Sequence, residues 1–346
     1  MASYDPFSRG PHPVGVATFD VTVVEGDRTV PVEVWYPATA EHAGQDLDPD
    51  TQDSFALMPG IEGMTQQAVR DATPIGDPCP GVVFSHGFAG HRRQTTHLCT
   101  HLASHGYVVA SPDHVGNTTA EIMSMMVEGM PEDMEGYVRQ VAADRPRDAS
   151  RTLDALISGE LGVKALDDGA GMAGHSFGGW TTLTTTARDD RIVAALPLAP
   201  AGGHSDTNVG PAQPIYDLVE LDWGRRVPTL MIVADEDSVL ALDGMHDLLA
   251  RGESLDRMVV IVNADHFHFC DGVELVHDMM APLMGGQTKK SSEFVPGAHA
   301  YDVTNGLGLI HFDATIRKLP EAIALSERDP KELLAERGIA VELVTS

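Results

Sequence analysis

Cysteine, aromatic residues and long apolar stretches are all scarce in this chain. Three cysteines in 346 residues are too few for a disulfide framework, so we expect them to be reduced, with one pair as the alternative: Cys79, Cys99 and Cys270. No apolar run is long enough to cross a membrane. The N-terminal stretch 1–16 lacks the apolar core of a secretory signal. We therefore expect a cytoplasmic protein without a membrane span, or a secreted one from which a signal has been removed.

Basic residues are scarce as well. Lys and Arg number 23 against 51 Asp and Glu, which gives a formal net charge of −28. A surface of this sign repels nucleic acid and anionic membranes, so we expect neither as a partner. The charge is consistent with a salty habitat and with an ordinary acidic protein, and the sequence does not separate the two. The length and the hydrophobic share of 42% favour one large α/β domain over residues 1–346.

One glycine-rich stretch carries the strongest functional signal: Gly174-His-Ser-Phe-Gly-Gly179. Small and apolar residues lead into it as a strand, and a helical pattern follows over Trp180–Ala187. Strand, Gly-x-Ser-x-Gly and helix together are the context of a nucleophile elbow, a turn so tight that only small residues fit beside the serine. A chance match in a chain with 34 glycines is the weaker alternative in this context. We therefore predict that Ser176 is a nucleophile.

The elements around this motif alternate in the manner of a mostly parallel sheet. An antiparallel hairpin is predicted from the strands Val16–Val24 and Thr29–Tyr36. Apolar strands that alternate with helices follow as far as a last clear strand at Met258–Val262. This order indicates an α/β fold in which helices cover both faces of the sheet.

Three segments are predicted to lie outside the sheet. A short helix is expected near Thr65–Arg70, within a polar surface excursion. A Met-rich stretch at 115–144 is expected to form a cap-like insertion, because it interrupts the alternation between a strand end and the next helix. Residues 291–346 are expected to form a helical C-terminal extension.

A serine nucleophile needs a histidine to accept its proton and a carboxylate to orient that histidine. In the elbow context these partners follow the serine in the order acid, then histidine, each just after a strand. Asp237 is the predicted acid because it lies furthest into its loop, and Asp235 is the alternative. His266 is the predicted base because it comes first after the last clear strand, and His268 is the alternative.

Two backbone N–H groups are predicted to form the oxyanion hole. Phe177 supplies one at the first turn of the helix after the serine, and Phe88 supplies the other from the loop after an earlier strand. A substrate pocket is predicted beside them, lined by Met123, Met126 and Trp180.

A histidine-rich stretch raises the question of a metal site: His91, His97, His101, His105 and His114. His97 and His101 are four residues apart on a predicted helix, a spacing that zinc can use. The glutamate that accompanies such a pair in zinc proteases is missing. We therefore expect no catalytic metal and no other cofactor.

Several segments together resemble two groups of serine esterases, the bacterial relatives of platelet-activating-factor acetylhydrolase and the cutinase-type polyester hydrolases. They are Pro13-Val-Gly15, Val34-Trp-Tyr-Pro37, Phe84-Ser-His-Gly-Phe88, Leu102-Ala-Ser-His-Gly-Tyr-Val-Val109, Arg145-Pro-Arg-Asp148, Leu153-Asp-Ala-Leu156 and Gly174-His-Ser-Phe-Gly-Gly179. The resemblance covers most of Pro13–His268. It implies an α/β-hydrolase fold and a cofactor-free serine esterase that acts on short acyl esters.

The sequence differs from the acetylhydrolases in the position of the acid, and from the polyester hydrolases in the absence of a characteristic tryptophan. In the acetylhydrolases the acid follows the strand corresponding to Ile192–Leu198, where this chain has Ala199-Pro-Ala-Gly-Gly203 and no carboxylate. Asp237 instead occupies the cutinase-like position. Polyester hydrolases carry a tryptophan before the nucleophile or in the loop after the next strand. This chain has His175 at the first place and Gly202-Gly-His204 at the second.

We therefore expect a serine hydrolase that cleaves carboxylic esters with short to medium acyl chains through an acyl-enzyme intermediate. A polyester, lactone or amide hydrolase on the same triad is the alternative. A non-catalytic binding protein that keeps the fold is a third hypothesis. The expected partner is a small-molecule ester, and the sequence gives neither the natural substrate nor the oligomeric state.

Overall fold

The computed structural model describes residues 4–23, 28–56, 63–207, 213–280 and 289–346. The strands are β1 Val14–Val23, β2 Arg28–Pro37, β3 Asp53–Phe55, β4 Met64–Gln66, β5 Val69–Arg70, β6 Cys79–Ser85, β7 Val108–Pro112, β8 Ala165–His175, β9 Ile192–Leu198, β10 Met231–Ala234, β11 Arg257–Ile261 and β12 Val341–Thr345. The α-helices are α1 Thr96–Ser104, α2 Thr119–Glu128, α3 Met134–Ser158, α4 Phe177–Arg188, α5 Leu242–Arg251, α6 Val273–Met280, α7 Gly297–Phe312, α8 Pro320–Ser326 and α9 Pro330–Ala335.

A mostly parallel sheet forms the centre of the fold. Its strand order is β12-β11-β10-β9-β8-β6-β7-β2-β1-β5. The strands from β7 through β6, β8, β9 and β10 to β11 pair in parallel, whereas β1 and β2 form an antiparallel hairpin that joins at β7. The prediction of a mostly parallel sheet with an N-terminal hairpin is confirmed. Val24, the last residue of the predicted first strand, lies outside the described residues.

Successive residues of the central strands point to opposite faces of the sheet, and each face is covered by helices. On β6, Val82 and Phe84 belong to the apolar cluster that includes Leu98 of α1 and several residues of α7. Val83, between them, belongs to the cluster that includes Leu153 of α3. Strands buried on both faces explain the nearly continuous apolar runs that the sequence shows there.

The helix predicted near Thr65–Arg70 is wrong. This stretch forms β4 and β5, where Gln66 pairs with Asp53 of β3 and Val69 pairs in parallel with Gly15 of β1. The partners are distant in sequence, so pairing with them overrides the local pattern that suggested a helix.

The C-terminal extension is only partly helical. Helices α7, α8 and α9 are followed by β12, which pairs antiparallel with β11 over Arg257–Ile261 and adds a strand to that edge of the sheet. The Met-rich stretch also differs from the expected insertion, because α3 continues without a break from Met134 to Ser158 and no structural boundary lies at residue 144. The division into one domain with these two additions stays a prediction.

Candidate active site

The backbone makes a sharp turn at Ser176, between β8 and α4. Ser176 has φ +59° and ψ −117°, a combination that L-residues seldom adopt. Neighbouring glycines permit the close approach that this turn requires. A Cβ at Gly178 would lie 1.8 Å from the carbonyl oxygen of Ser85, and one at Gly174 would lie 2.3 Å from that of Gly178. The turn therefore presents the serine at the carboxyl end of β8, as the motif predicts.

Asp237 lies beyond the carboxyl end of β10, and its side chain is almost completely buried. Its Oδ1 accepts hydrogen bonds from the backbone N–H groups of Val239 and Leu240, at 2.8 and 2.6 Å. Its Oδ2 lies 2.7 Å from Nδ1 of His266. Asp235 is bound elsewhere, because its Oδ1 accepts a backbone N–H of the loop after β11 at 3.2 Å. Of the two candidate acids, the structure brings Asp237 to the histidine.

His266 follows β11 and donates its Nδ1–H to Asp237, which leaves Nε2 free to accept a proton. Burial lowers the pKa of His266, but the charge of Asp237 and its hydrogen bond raise it, and the net shift is upward. The alternative base, His268, is held by the main chain. Its Nε2–H donates to the carbonyl oxygen of Val295 at 3.0 Å, and its Nδ1 accepts the N–H of Asp265 at 2.9 Å.

The elbow and the loop that carries His266 are in direct contact. His175, which precedes Ser176, has its ring centroid 4.5 Å from that of His266. Its Nε2–H donates to the carbonyl oxygen of His266 at 3.0 Å. The residues predicted as nucleophile, acid and base are thus gathered at one edge of the sheet.

The loop after β6 lies against the elbow. A Cβ at Gly87 would be only 3.3 Å from the Cβ of Ser176. Phe88 follows Gly87 directly, and its ring stacks on that of Phe177 with centroids 6.4 Å apart. Phe177 is the first residue of α4, where backbone N–H groups have no partner within the helix. The structure therefore places Phe88 and Phe177 in segments that lie against the serine, and their role as oxyanion donors stays a prediction.

Arg145 of α3 binds the backbone of the loop after β6, a contact that the sequence did not predict. Its side chain is fully buried. The guanidinium donates to the carbonyl oxygens of His86 and Gly87, at 2.6 and 2.9 Å, and to Oδ1 of Asn117 at 2.8 Å. It also lies 4.4 Å from the ring centroid of Phe177. Burial lowers the pKa of Arg145 to about 9, but the group stays cationic at neutral pH.

These bonds hold the peptide group between Gly87 and Phe88, which carries one of the predicted oxyanion donors. In a trans peptide the carbonyl and the N–H point in opposite directions. Holding the Gly87 carbonyl on Arg145 therefore turns the N–H of Phe88 away from Arg145. Arg145 belongs to the segment Arg145-Pro-Arg-Asp148 of the family resemblance, but that resemblance assigns it no role.

A second Ser-His-Asp chain lies beneath the same loop. Ser85 Oγ is 2.8 Å from Nε2 of His114, and Nδ1 of His114 is 3.0 Å from Oδ2 of Asp148. Asp148 also pairs with Arg28 of the hairpin. Burial lowers the pKa of His114 well below its ordinary value and raises the pKa of Asp148 to about 7. Ser85 has no exposed surface, so this chain of hydrogen bonds is enclosed within the fold.

The histidines of the early stretch form hydrogen bonds within the protein. His101 donates its Nε2–H to the carbonyl oxygen of Pro6 and His105 donates to that of Ser8, each at 2.9 Å. His97 bonds to the amide side chain of Asn305 at 2.9 Å. Over the described ranges, no group of three or more His, Cys, Asp and Glu side chains is placed to hold a metal ion.

The three residues assigned to a substrate pocket occupy two different environments. Met123 and Met126 lie on α2 with 44% and 62% of their surface exposed. Thr119 at the start of α2 donates to the carbonyl oxygen of Ala89 at 2.7 Å. This helix therefore adjoins the loop 86–95 after β6, called here the oxyanion loop because it carries the predicted donor Phe88. Trp180 is buried in α4, and its Nε1–H donates to a backbone carbonyl of the loop before β10 at 3.1 Å. Their assignment to a pocket stays a prediction.

Residues 60–147 match a family model described as platelet-activating factor acetylhydrolase, isoform II. This stretch contains the oxyanion loop and Arg145 but ends before Ser176. The chain is 28% identical to the platelet-activating factor acetylhydrolase of Canis lupus familiaris over 156 residues, which are 36% of this chain and 35% of that protein. It is 30% identical to Cutinase 2 of Thermobifida cellulosilytica over 184 residues, which are 52% of this chain and 55% of that protein. The chain thus matches between about a third and about half of the length of these curated relatives.

A ferulic acid esterase from Streptomyces cinnamoneus has a similar structure, with a TM-score of 0.68 and 21% sequence identity over 96% of both chains. This likeness confirms the α/β-hydrolase fold. The sequence matches confirm the resemblance to acetylhydrolases and cutinases. Among the described residues, no helix combines the length and the apolar character that crossing a bilayer requires.

Proposed function

We propose that this chain hydrolyses carboxylic esters through an acyl-enzyme formed on Ser176. The observation that carries the proposal is the 2.7 Å hydrogen bond between His266 Nδ1 and Asp237 Oδ2, beside the elbow. This bond leaves Nε2 of His266 as the proton acceptor and gives the ring a carboxylate that stabilises its charged form. The matches to an acetylhydrolase and to cutinases support the same chemistry.

The reaction proceeds in two halves. Ser176 Oγ attacks the ester carbonyl carbon while Nε2 of His266 takes the hydroxyl proton. The negative oxygen of the tetrahedral intermediate accepts hydrogen bonds from the N–H groups of Phe88 and Phe177. The bond to the alcohol oxygen then breaks, and His266 returns the proton to that oxygen. In the second half His266 takes a proton from water as the water oxygen attacks the acyl-enzyme carbonyl carbon. The bond between that carbon and Ser176 Oγ then breaks, His266 returns the proton to Oγ, and the carboxylic acid leaves.

The proposed substrates are small-molecule esters with short to medium acyl chains. The support is steric, because only 9% of Ser176 is exposed and the rings of Phe88 and Phe177 stand beside it. A series of p-nitrophenyl esters from acetate to palmitate, with wild type and Ser176→Ala, tests both parts of the proposal. Turnover of the shorter esters that disappears in Ser176→Ala is expected. Substantial turnover by Ser176→Ala would overturn the nucleophile, and a preference for palmitate would overturn the acyl range.

Polyester hydrolysis is a second candidate. It is favoured by the 30% identity to Cutinase 2 and by the exposed methionines of α2 next to the oxyanion loop. The release of acid from a polyester film, compared with turnover of p-nitrophenyl acetate by the same preparation, separates the two functions. Film hydrolysis at a rate that matches the soluble ester would favour the polyester.

A further inference from the structure

One buried side-chain pair connects the three loops of the proposed site. The N–H of Gly87 in the oxyanion loop donates to Oε1 of Gln94 at 2.8 Å. Nε2 of Gln94 donates to Nδ1 of His175 at 2.6 Å. Nε2–H of His175 donates to the carbonyl oxygen of His266 at 3.0 Å. A continuous chain of hydrogen bonds therefore runs from the oxyanion loop, past the residue before the nucleophile, to the base.

The direction of every bond in this chain is determined by its two ends. A backbone N–H at one end and a carbonyl at the other fit one amide orientation of Gln94 and one ring tautomer of His175, neutral with the proton on Nε2. Burial, together with the nearby charge of His266, lowers the pKa of His175 well below its ordinary value, which agrees with the neutral form. The second N–H of the Gln94 amide points to Sγ of Cys270 at 3.1 Å, so each polar atom of that amide has a partner.

We propose that Gln94 and His175 act as one positioning unit, called here the relay, that fixes the spacing between the oxyanion donors and the base. The proposal rests on the ester hydrolysis proposed above. All bonds of the relay run in the same sense, so each one polarises the next. The relay binds the N–H of Gly87 at one end and the carbonyl oxygen of His266 at the other, and the backbone of His175 joins it directly to Ser176. Breaking the relay releases Gly87 and His266 to move relative to the serine.

Three variants test the relay. Gln94→Leu and His175→Phe keep the size of each side chain and remove its hydrogen bonds, and the third variant combines both changes. We expect each single variant to lower kcat on p-nitrophenyl acetate by about 10- to 100-fold with little change in KM, because small displacements of reacting groups have costs of this order. The double variant should be no worse than the more damaging single variant, since residues that act as a unit are not additive. Additive losses would overturn the proposal.

A matched control separates positioning from stability. Gln66 is also a buried glutamine, and its side chain accepts a hydrogen bond from Trp35 Nε1–H and donates one to Asp53 Oδ2, each at 2.6 Å. These bonds join β2, β3 and β4. Gln66→Leu should lower the Tm and leave kcat unchanged. If Gln94→Leu behaves in the same way, losing Tm but not kcat, the relay has only a structural role and the proposal is overturned.

Nitrogen-15 NMR of histidine-labelled protein gives a readout that does not depend on activity. Between about pH 5 and pH 8 we expect His175 to stay neutral with its proton on Nε2, and we expect the Nδ1–H resonance of His266 to shift in Gln94→Leu. A protonated His175, the other tautomer or an unmoved His266 resonance would overturn the relay, whether or not esters are hydrolysed. If the spectra are as expected but the wild type does not hydrolyse esters, the proposed ester hydrolysis is contradicted. The shift of the His266 resonance would in that case still show that the relay positions His266.

Discussion

The carbonyl oxygen of Gly87 accepts a hydrogen bond of 2.9 Å from the buried guanidinium of Arg145. The same peptide group carries the N–H of Phe88, so Arg145 orients a proposed oxyanion donor without touching substrate. The N–H of Gly87 is held in turn by Gln94 at 2.8 Å. The loop between β6 and α1 is thus held through its backbone, and this supports the proposal that Phe88, whose side chain is apolar, contributes a main-chain donor.

Replacement of Arg145 should impair catalysis. In Arg145→Lys the single ammonium group does not reproduce the fork that serves His86, Gly87 and Asn117 together. We expect kcat to fall by about 100-fold, the scale of losing one oxyanion donor. The control is Arg139→Lys on the same helix, where the arginine forms an exposed pair with Glu135 and kcat should not change. Equal kcat values for the two variants would contradict the role of Arg145.

The two candidate acids are separable by isosteric substitution. Asp237→Asn should lower kcat by about 10⁴-fold, because the amide favours the wrong tautomer of His266. Asp235→Asn should retain most activity, since an amide oxygen can still accept the backbone N–H that Asp235 Oδ1 binds. Steady-state kinetics on p-nitrophenyl acetate decides between them, and the reverse pattern would assign the acid to Asp235.

The pH dependence of kcat/KM should follow the ionisation of His266. The ring must be neutral to accept the proton of Ser176, and its pKa is shifted upward from the ordinary 6.5, with Asp237 overcoming the effect of burial. Activity should therefore fall on the acid side with an apparent pKa above 6.5. The limb should move to lower pH in the residual activity of Asp237→Asn, where the carboxylate charge is gone. An acid limb below pH 6.5 in wild type would show that another group controls the rate.

The free energy of unfolding should decrease as the pH is lowered, because burial disfavours protonation of His101. Burial lowers its pKa from 6.5 to about 3 in the folded chain, so only the unfolded chain binds the proton between these values. The stabilising effect of neutral His101 is thus complete above the unfolded pKa and is lost as pH falls below it. His101→Gln can keep the donor to Pro6 without titrating. Between pH 7 and pH 5 wild type should lose about 2 kcal/mol of unfolding free energy relative to this variant, measured by urea denaturation. Parallel losses in both proteins would contradict this assignment.

The parts of the site that follow from local sequence were predictable. The elbow is a contiguous motif whose glycines are required by the backbone at Ser176, and Asp237 and His266 each follow an apolar strand that is readable by itself. The choice of Asp237 over Asp235 agrees with their contacts, but it depended on loop position alone. The contact of Asp237 with His266 and that of Asp235 with the main chain are both set by the tertiary structure, so neither can be read from the sequence.

The groups that orient the site were not predictable, because their contacts span long stretches of chain. Arg145 is 58 residues from Gly87, and Gln94 is 81 residues from His175. A buried arginine in a helix and a buried glutamine within a loop have no sequence signature of their own. The same reason accounts for β12, which depends on pairing with Arg257–Ile261, and for the strands found where a helix was expected near Thr65–Arg70.

Covalent trapping of the nucleophile is the most direct test of the proposed function. Wild type and Ser176→Ala are incubated with a fluorophosphonate, and intact mass and peptide mapping locate the adduct. We expect one adduct on wild type, at Ser176, formed together with loss of p-nitrophenyl acetate turnover, and none on Ser176→Ala. An unlabelled wild type, or an adduct at another serine that abolishes turnover, would contradict catalysis by Ser176.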